Sequence, residues 1–274
     1  MTKILYRDMD RVALDAAFNN TKAISNFPAV LARFKHDSQE TYSTYGGRRD
    51  LRYGEKARER YDFIPSGRAA QATYIFLHGG YWSHCAKEDF AFIAGSLVPN
   101  GINVALAEYT LAPEISVTGI VEEIGRLIQH LSDDKDRLGI ETLPLYLGGH
   151  SAGGHLALMY RAHPAISRVH AISPLVDLEP MRLCWLQDSL KLTYEETRTL
   201  SPIRHIKPGA PTMISVGADE LIGLRSQATE YALACEAAGE RIGLLHVPGC
   251  THFSILEDLA NPVSWQLEAF LKLV

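Results

Sequence analysis

Six short, almost unbroken apolar runs recur along this chain from residue 72 onward, and they restrict its fold more than any other feature. They are Thr73–Leu77, Ile102–Leu106, Leu143–Leu147, Val169–Ile172, Thr212–Val216 and Ile242–Val247. A strand with one wet face alternates apolar and polar residues, whereas a strand covered on both faces does not. Continuous runs of this length therefore predict parallel strands buried between helices. Helical patterns fall between them, at about 88–98, 115–132, 153–163 and 225–238, with a last one at 262–273. Strand–helix alternation implies βαβ units, hence the α/β class with a mostly parallel, doubly wound sheet.

Two stretches break the alternation. Residues 8–43 read as mostly helical and polar, with no clear core stripe, and residues 50–64 leave room for one or two edge strands. Residues 177–208 hold two short helical stretches, and Pro174, Pro202, Pro208 and Pro211 punctuate the ends of this segment. We read them as an insertion forming a small helical cap over the site. The whole chain, 1–274, is expected to form a single domain, with 1–45 as an N-terminal helical segment.

Composition excludes several classes of function. The net charge is −5 and no basic stripe stands out, which argues against nucleic acid and anionic membrane surfaces as partners. No apolar run approaches 20 residues and the N-terminus is charged, so neither a membrane span nor a signal peptide is expected, and the expected location is cytoplasmic. Cys85, Cys184, Cys235 and Cys250 form no C-x-x-C pair, so they read as free thiols rather than a zinc or redox motif. The expected partner is a small-molecule substrate; a homodimer is compatible with the sequence.

The sharpest motif is Gly149-His150-Ser151-Ala152-Gly153, preceded by a strand pattern and followed by a helical one. A G-x-S-x-G sequence in that context places a serine on a strained strand-to-helix turn, its hydroxyl raised above the sheet. The helix N-terminus beneath it favours developing negative charge. His78-Gly79-Gly80-Tyr81-Trp82 follows the first strand directly. Glycines there let backbone N–H groups approach an oxyanion. Gly80, Tyr81 and Ala152 are the expected donors, with His78 as a buried brace of the loop. Tyr81 and Trp82 are expected to line the substrate pocket.

A serine nucleophile needs a base and an orienting carboxylate, here in the order serine, acid, histidine. His252, in the turn after the last strand, is the expected base. Asp219 is the first carboxylate after the strand Thr212–Val216 and is the expected acid, with the adjacent Glu220 as competitor. Neither a metal nor an organic cofactor is required by this chemistry.

These motifs together resemble the arylformamidase (kynurenine formamidase) branch of the α/β hydrolases, close to the hormone-sensitive-lipase-like esterases. The resemblance is carried by His78–Trp82, by Gly149–Leu156 and by Tyr109-Thr110-Leu111-Ala112-Pro113-Glu114. Asp177–Pro180, Leu190–Leu192 and Leu200–Pro202 are similar to that family's cap region, and Leu14–Asn20 to the start of its bacterial members. It implies the α/β-hydrolase fold and cleavage of a small carbonyl substrate, either an aryl formamide or a short-chain ester or amide. Where it implies an asparagine before the L-x-L stretch, this chain has Gln187-Asp188. Gln187 is therefore the expected substrate contact from the cap.

Overall fold

The computed structural model describes residues 3–67 and 70–273. Its core is an eight-stranded sheet: β1 (Arg48–Arg52), β2 (Arg60–Ile64), β3 (Ala72–Leu77), β4 (Ile102–Ala107), β5 (Leu145–His150), β6 (Ile166–Ile172), β7 (Thr212–Gly217) and β8 (Ile242–Val247). The spatial order is β1-β2-β4-β3-β5-β6-β7-β8. The pairs β1–β2 and β2–β4 are antiparallel, and every other pair is parallel. This is the α/β-hydrolase fold, and the six apolar runs became β3 to β8.

Burial explains the pattern. Every residue of β3, β4 and β7 is buried, as continuous apolar runs require. On β3, Ile75 and Leu77 face one core and Tyr74 and Phe76 the other, so each run serves two layers. The outer strand β1 (RRDLR) is exposed and charged, which discourages further pairing along that edge.

The helices are α1 (Arg11–Ala17), α2 (Phe27–Tyr45), α3 (Ala94–Leu97), α4 (Val117–Asp133), α5 (Lys135–Leu138), α6 (Ala152–Met159), α7 (Glu179–Leu183), α8 (Gln187–Leu190), α9 (Tyr194–Thr199), α10 (Ile222–Ala237), α11 (Ser254–Ala260) and α12 (Trp265–Lys272). Helix α4 shows how sequence sets such an element. The Ser116 side chain accepts from Gly119 N–H at its start, and Ile120, Ile124, Leu127, Ile128 and Leu131 form one buried stripe. The pattern at 88–98 became a 3-10 helix (Lys87–Ile93) running into α3. The pattern at 262–273 became α12, and a helix not expected from the sequence, α11, precedes it and ends before Pro262, since proline cannot continue a helix.

Strand β5 runs three residues beyond its expected end, through Gly148 and Gly149, and begins two residues later, at Leu145. Glycine weakens strands in general. Here Gly148 makes room for the Tyr74 ring: any Cβ would overlap its hydroxyl. That hydroxyl lies 3.1 Å from His170 Nδ1, and His170 Nε2 lies 2.9 Å from Ser215 Oγ, a polar chain inside the sheet.

The order of the strands also locates a crevice. From β3 the chain steps outward to β4, then returns past β3 to β5 and proceeds the other way. Ligands of open α/β sheets bind at the carboxyl ends of strands flanking such a reversal. The loops leaving β3 and β5 carry His78–Trp82 and Ser151.

Two fully buried imidazoles predict a pH effect on stability. Burial lowers the His155 pKa to about 4 and that of His170 to about 3. In the unfolded chain both return to about 6.5. As pH falls from about 6.5 towards about 4, the unfolded state binds protons that the native state refuses, so stability declines. The urea midpoint should fall between pH 7 and pH 5, and His155→Gln, which can keep a donor near the Leu200 carbonyl, should reduce that fall. A midpoint unchanged across this window would contradict the assignment.

Candidate active site

The backbone of Ser151 sets the site. Its φ of +56° and ψ of −116° are costly for any residue with a side chain. The turn is held because Ser151 N–H donates to Ile172 O at 2.8 Å, while Ser151 O accepts the first helical bond of α6 from His155 at 3.0 Å. Helix α6 can start this close to the sheet only because Gly153 has no side chain: a Cβ there would strike the Leu77 carbonyl. Ala152, Gly153 and Gly154 occupy the first turn of α6, where N–H groups have no intrahelical acceptor.

The loop after β3 lies over this turn. Gly80 has φ +109°, and a Cβ on it would overlap the His84 carbonyl. Tyr81 and Trp82 follow with φ +53° and +57°. His78 is buried as a brace, stacked on Tyr109 (centroids 4.3 Å apart) and on Phe90 (5.9 Å). Its Nε2 is 3.0 Å from Glu108 Oε1, and its carbonyl accepts from Tyr109 Oη at 2.8 Å. Burial alone would push the Glu108 carboxyl up; His78 and Arg58 beside it hold it below the usual range. Ala112 N–H donates to the Trp82 carbonyl, tying the Tyr109–Glu114 stretch to this loop.

The carboxylate that reaches His252 is Glu220, not the expected Asp219. His252 Nδ1 lies 2.8 Å from Glu220 Oε2, and both side chains are buried. Glu220 Oε1 accepts from Ser173 Oγ and from Gly217 N–H. Asp219 is exposed and contributes only its main chain, whose N–H donates to Cys250 O at 3.0 Å. The reason is the tight turn after β7, in which Glu220 N–H donates to Gly217 O. Adjacent side chains leave such a turn in different directions, and here the longer one turns inward beneath the imidazole.

Ser151, His150, His252, Gly80 and Tyr81 all line one cavity of about 470 Å³. Its remaining wall is largely aromatic: Phe27, Phe34, Phe90, Trp185 and Phe253, with Leu31. Lys35 and Asp89 also line it, with Nζ and Oδ1 3.7 Å apart. Tyr81 presents its ring edge-on to Trp185, while its hydroxyl donates to Phe18 O and accepts from Asn20 N–H. Burial pushes that hydroxyl up to about 12.

Two expected substrate contacts are elsewhere. Trp82 does not line the cavity; it is fully buried, edge-on to His155, because the chain direction at Tyr81 and Trp82 sends alternate side chains to pocket and core. Gln187 does not reach the cavity either. Its amide closes a local loop, donating to Leu192 O and accepting from Leu192 N–H, both at 3.0 Å. The cap insertion supplies Trp185 instead, and α2 supplies more of the wall than the cap does. Phe27, Leu31 and Phe34 follow helical spacing, a stripe concealed by the polar residues around it.

The comparisons agree with the fold. The family model described as BD-FAE matches residues 63–171. A kynurenine formamidase of Danio rerio is 29% identical over 241 residues, covering 82% of this chain and 81% of that protein. One of Salmo salar is 29% identical over 226 residues, 76% of each chain. A candidate thioesterase of Silicibacter superposes with TM-score 0.85 at 24% identity, covering 94% of this chain and 98% of its own. An esterase of Pyrobaculum calidifontis gives 0.71 at 18% identity, covering 89% and 94%. Fold and serine turn together define an α/β hydrolase. Within that class this chain is similar to the kynurenine formamidases over most of its length.

The two neighbouring carboxylates give opposite expectations. Glu220→Ala should lower kcat by about 10³-fold or more, as loss of an orienting acid does in such triads. Asp219→Ala should leave kcat within about threefold. Steady-state kinetics on both folded variants decides; equal losses would refute the assignment of Glu220.

Proposed function

We propose that this chain hydrolyses an aryl formamide of the N-formylkynurenine type through an acyl-enzyme on Ser151, with His252 as base and Glu220 as its orienting acid. The observation that carries the reading is the buried Glu220–His252 hydrogen bond opening onto the same cavity as Ser151. His252 takes the Ser151 hydroxyl proton as Oγ attacks the formyl carbon. The tetrahedral oxyanion is met by N–H groups of Ala152 and of the Gly80–Tyr81 loop. His252 then protonates the departing aryl amine, leaving formyl-Ser151. Water, deprotonated by His252, attacks this ester and releases formate.

The cavity supports the substrate class. Its aromatic wall suits an aryl ring. The Lys35–Asp89 pair offers one charge of each sign to a zwitterionic tail. Formyl is the smallest acyl group, and an aryl amine leaves more readily than an alkyl amine, so a plain triad suffices. A small-ester substrate is the second reading. Shorter matches, over 43% of this chain, to a plant protein named as a probable isoprenylcysteine methylesterase favour it.

A substrate panel separates the two. The ratio of kcat/KM for N-formylkynurenine over p-nitrophenyl acetate should exceed about tenfold, a difference of about 1.4 kcal/mol. A smaller ratio would replace the formamide reading with the ester one. Ser151→Ala should lose several orders of magnitude in kcat on either substrate, and retained turnover would reject the nucleophile.

A further inference from the structure

His150, the variable residue of the G-x-S-x-G turn, takes no part in the reaction sequence above, yet its ring is packed against the base. The two imidazole centroids are 4.5 Å apart, inclined at 43°. His150 Nε2 lies 2.7 Å from the main-chain oxygen of His252, 102 residues away. A carbonyl oxygen can only accept, so Nε2 carries the hydrogen. Burial keeps the ring neutral, well below its usual range, and leaves Nδ1 as a bare lone pair. That Nδ1 is buried without a hydrogen-bond partner. It sits under the loop after β3, where a Cβ on Gly79 would come within 2.9 Å of it.

An imidazole that is buried and half-satisfied is a poor choice for packing alone, because an apolar ring would avoid the cost of the orphaned nitrogen. What it gains is one hydrogen bond, to the backbone of the base. His252 is then fixed at two points: Glu220 holds its Nδ1, and His150 holds its carbonyl. Because His150 is the last residue of β5 and Ser151 follows it, this bond ties base and nucleophile to one rigid strand end.

We propose that His150 is a positioning residue, whose Nε2–H holds the main chain of His252 so that the imidazole stays set between Glu220 and Ser151. The proposal rests on the triad reading above. It differs from a structural role in one respect: loss of the donor should slow acylation without loosening the fold or weakening substrate binding.

Gln and Met make the test, since Gln can place an N–H close to the position of imidazole Nε2 and Met has similar length without a donor. In His150→Met, kcat and the rate of Ser151 modification by a fluorophosphonate should both fall about tenfold or more, a cost typical of small misplacements in an active site. KM should stay within about twofold. His150→Gln should recover both rates to within about threefold of wild type. The proposal is overturned if folded His150→Met keeps its rates, or if folded His150→Gln falls as far as Met. Failure of either variant to fold would make the bond structural and equally overturn it. Full activity in Ser151→Ala would instead defeat the triad reading.

Discussion

A close approach between the first turn of α6 and the end of β3 underlies the whole site. Gly149 and Gly153 bring backbone against backbone, with Gly153 facing the Leu77 carbonyl directly. That contact leaves Ser151 in its strained conformation, because helix and strand cannot meet so closely by any gentler turn. The hydroxyl is thereby lifted toward the cavity at the N-terminal end of a helix, where developing negative charge is favoured. The buried sheet on either side, with two layers of core packed against it, supplies the rigidity that such strain demands.

Around this point the loops brace one another. The loop after β3 is held by the stack of His78 on Tyr109 and by the hydrogen bond from Ala112 to Trp82. The turn after β7 and the loop after β8 are joined by main-chain bonds from Ala218 to Val247 and from Asp219 to Cys250, as well as by Glu220 and His252. Phe27 packs on Phe253 with centroids 5.0 Å apart, so the N-terminal segment rests on the residue beside the base. Helix α2 thus forms more of the cavity wall than the cap does, while Ser151, Glu220 and His252 all follow strand ends.

Most of this was legible in sequence because it rests on local rules. Buried parallel strands show as continuous apolar runs, and the serine turn shows as glycines at fixed spacing. What escaped depended on direction rather than composition. Asp219 and Glu220 are adjacent carboxylates, and only the course of the turn decides which one faces His252. Tyr81 and Trp82 are adjacent aromatics sent to opposite sides by two positive φ angles. Gln187 had polar partners within its own loop. The stripe Phe27, Leu31, Phe34 was written at helical spacing, but with only Phe34 fully buried it lacked the density of a core face.

The central claim is that Ser151 becomes covalently acylated. It is tested most directly by rapid acid quench of the enzyme with p-nitrophenyl acetate, followed by intact-mass measurement and peptide mapping. The account predicts one acetyl group per chain, located on Ser151. An enzyme that turns over this ester with no acyl group on the chain, or with the group on another side chain, would contradict it.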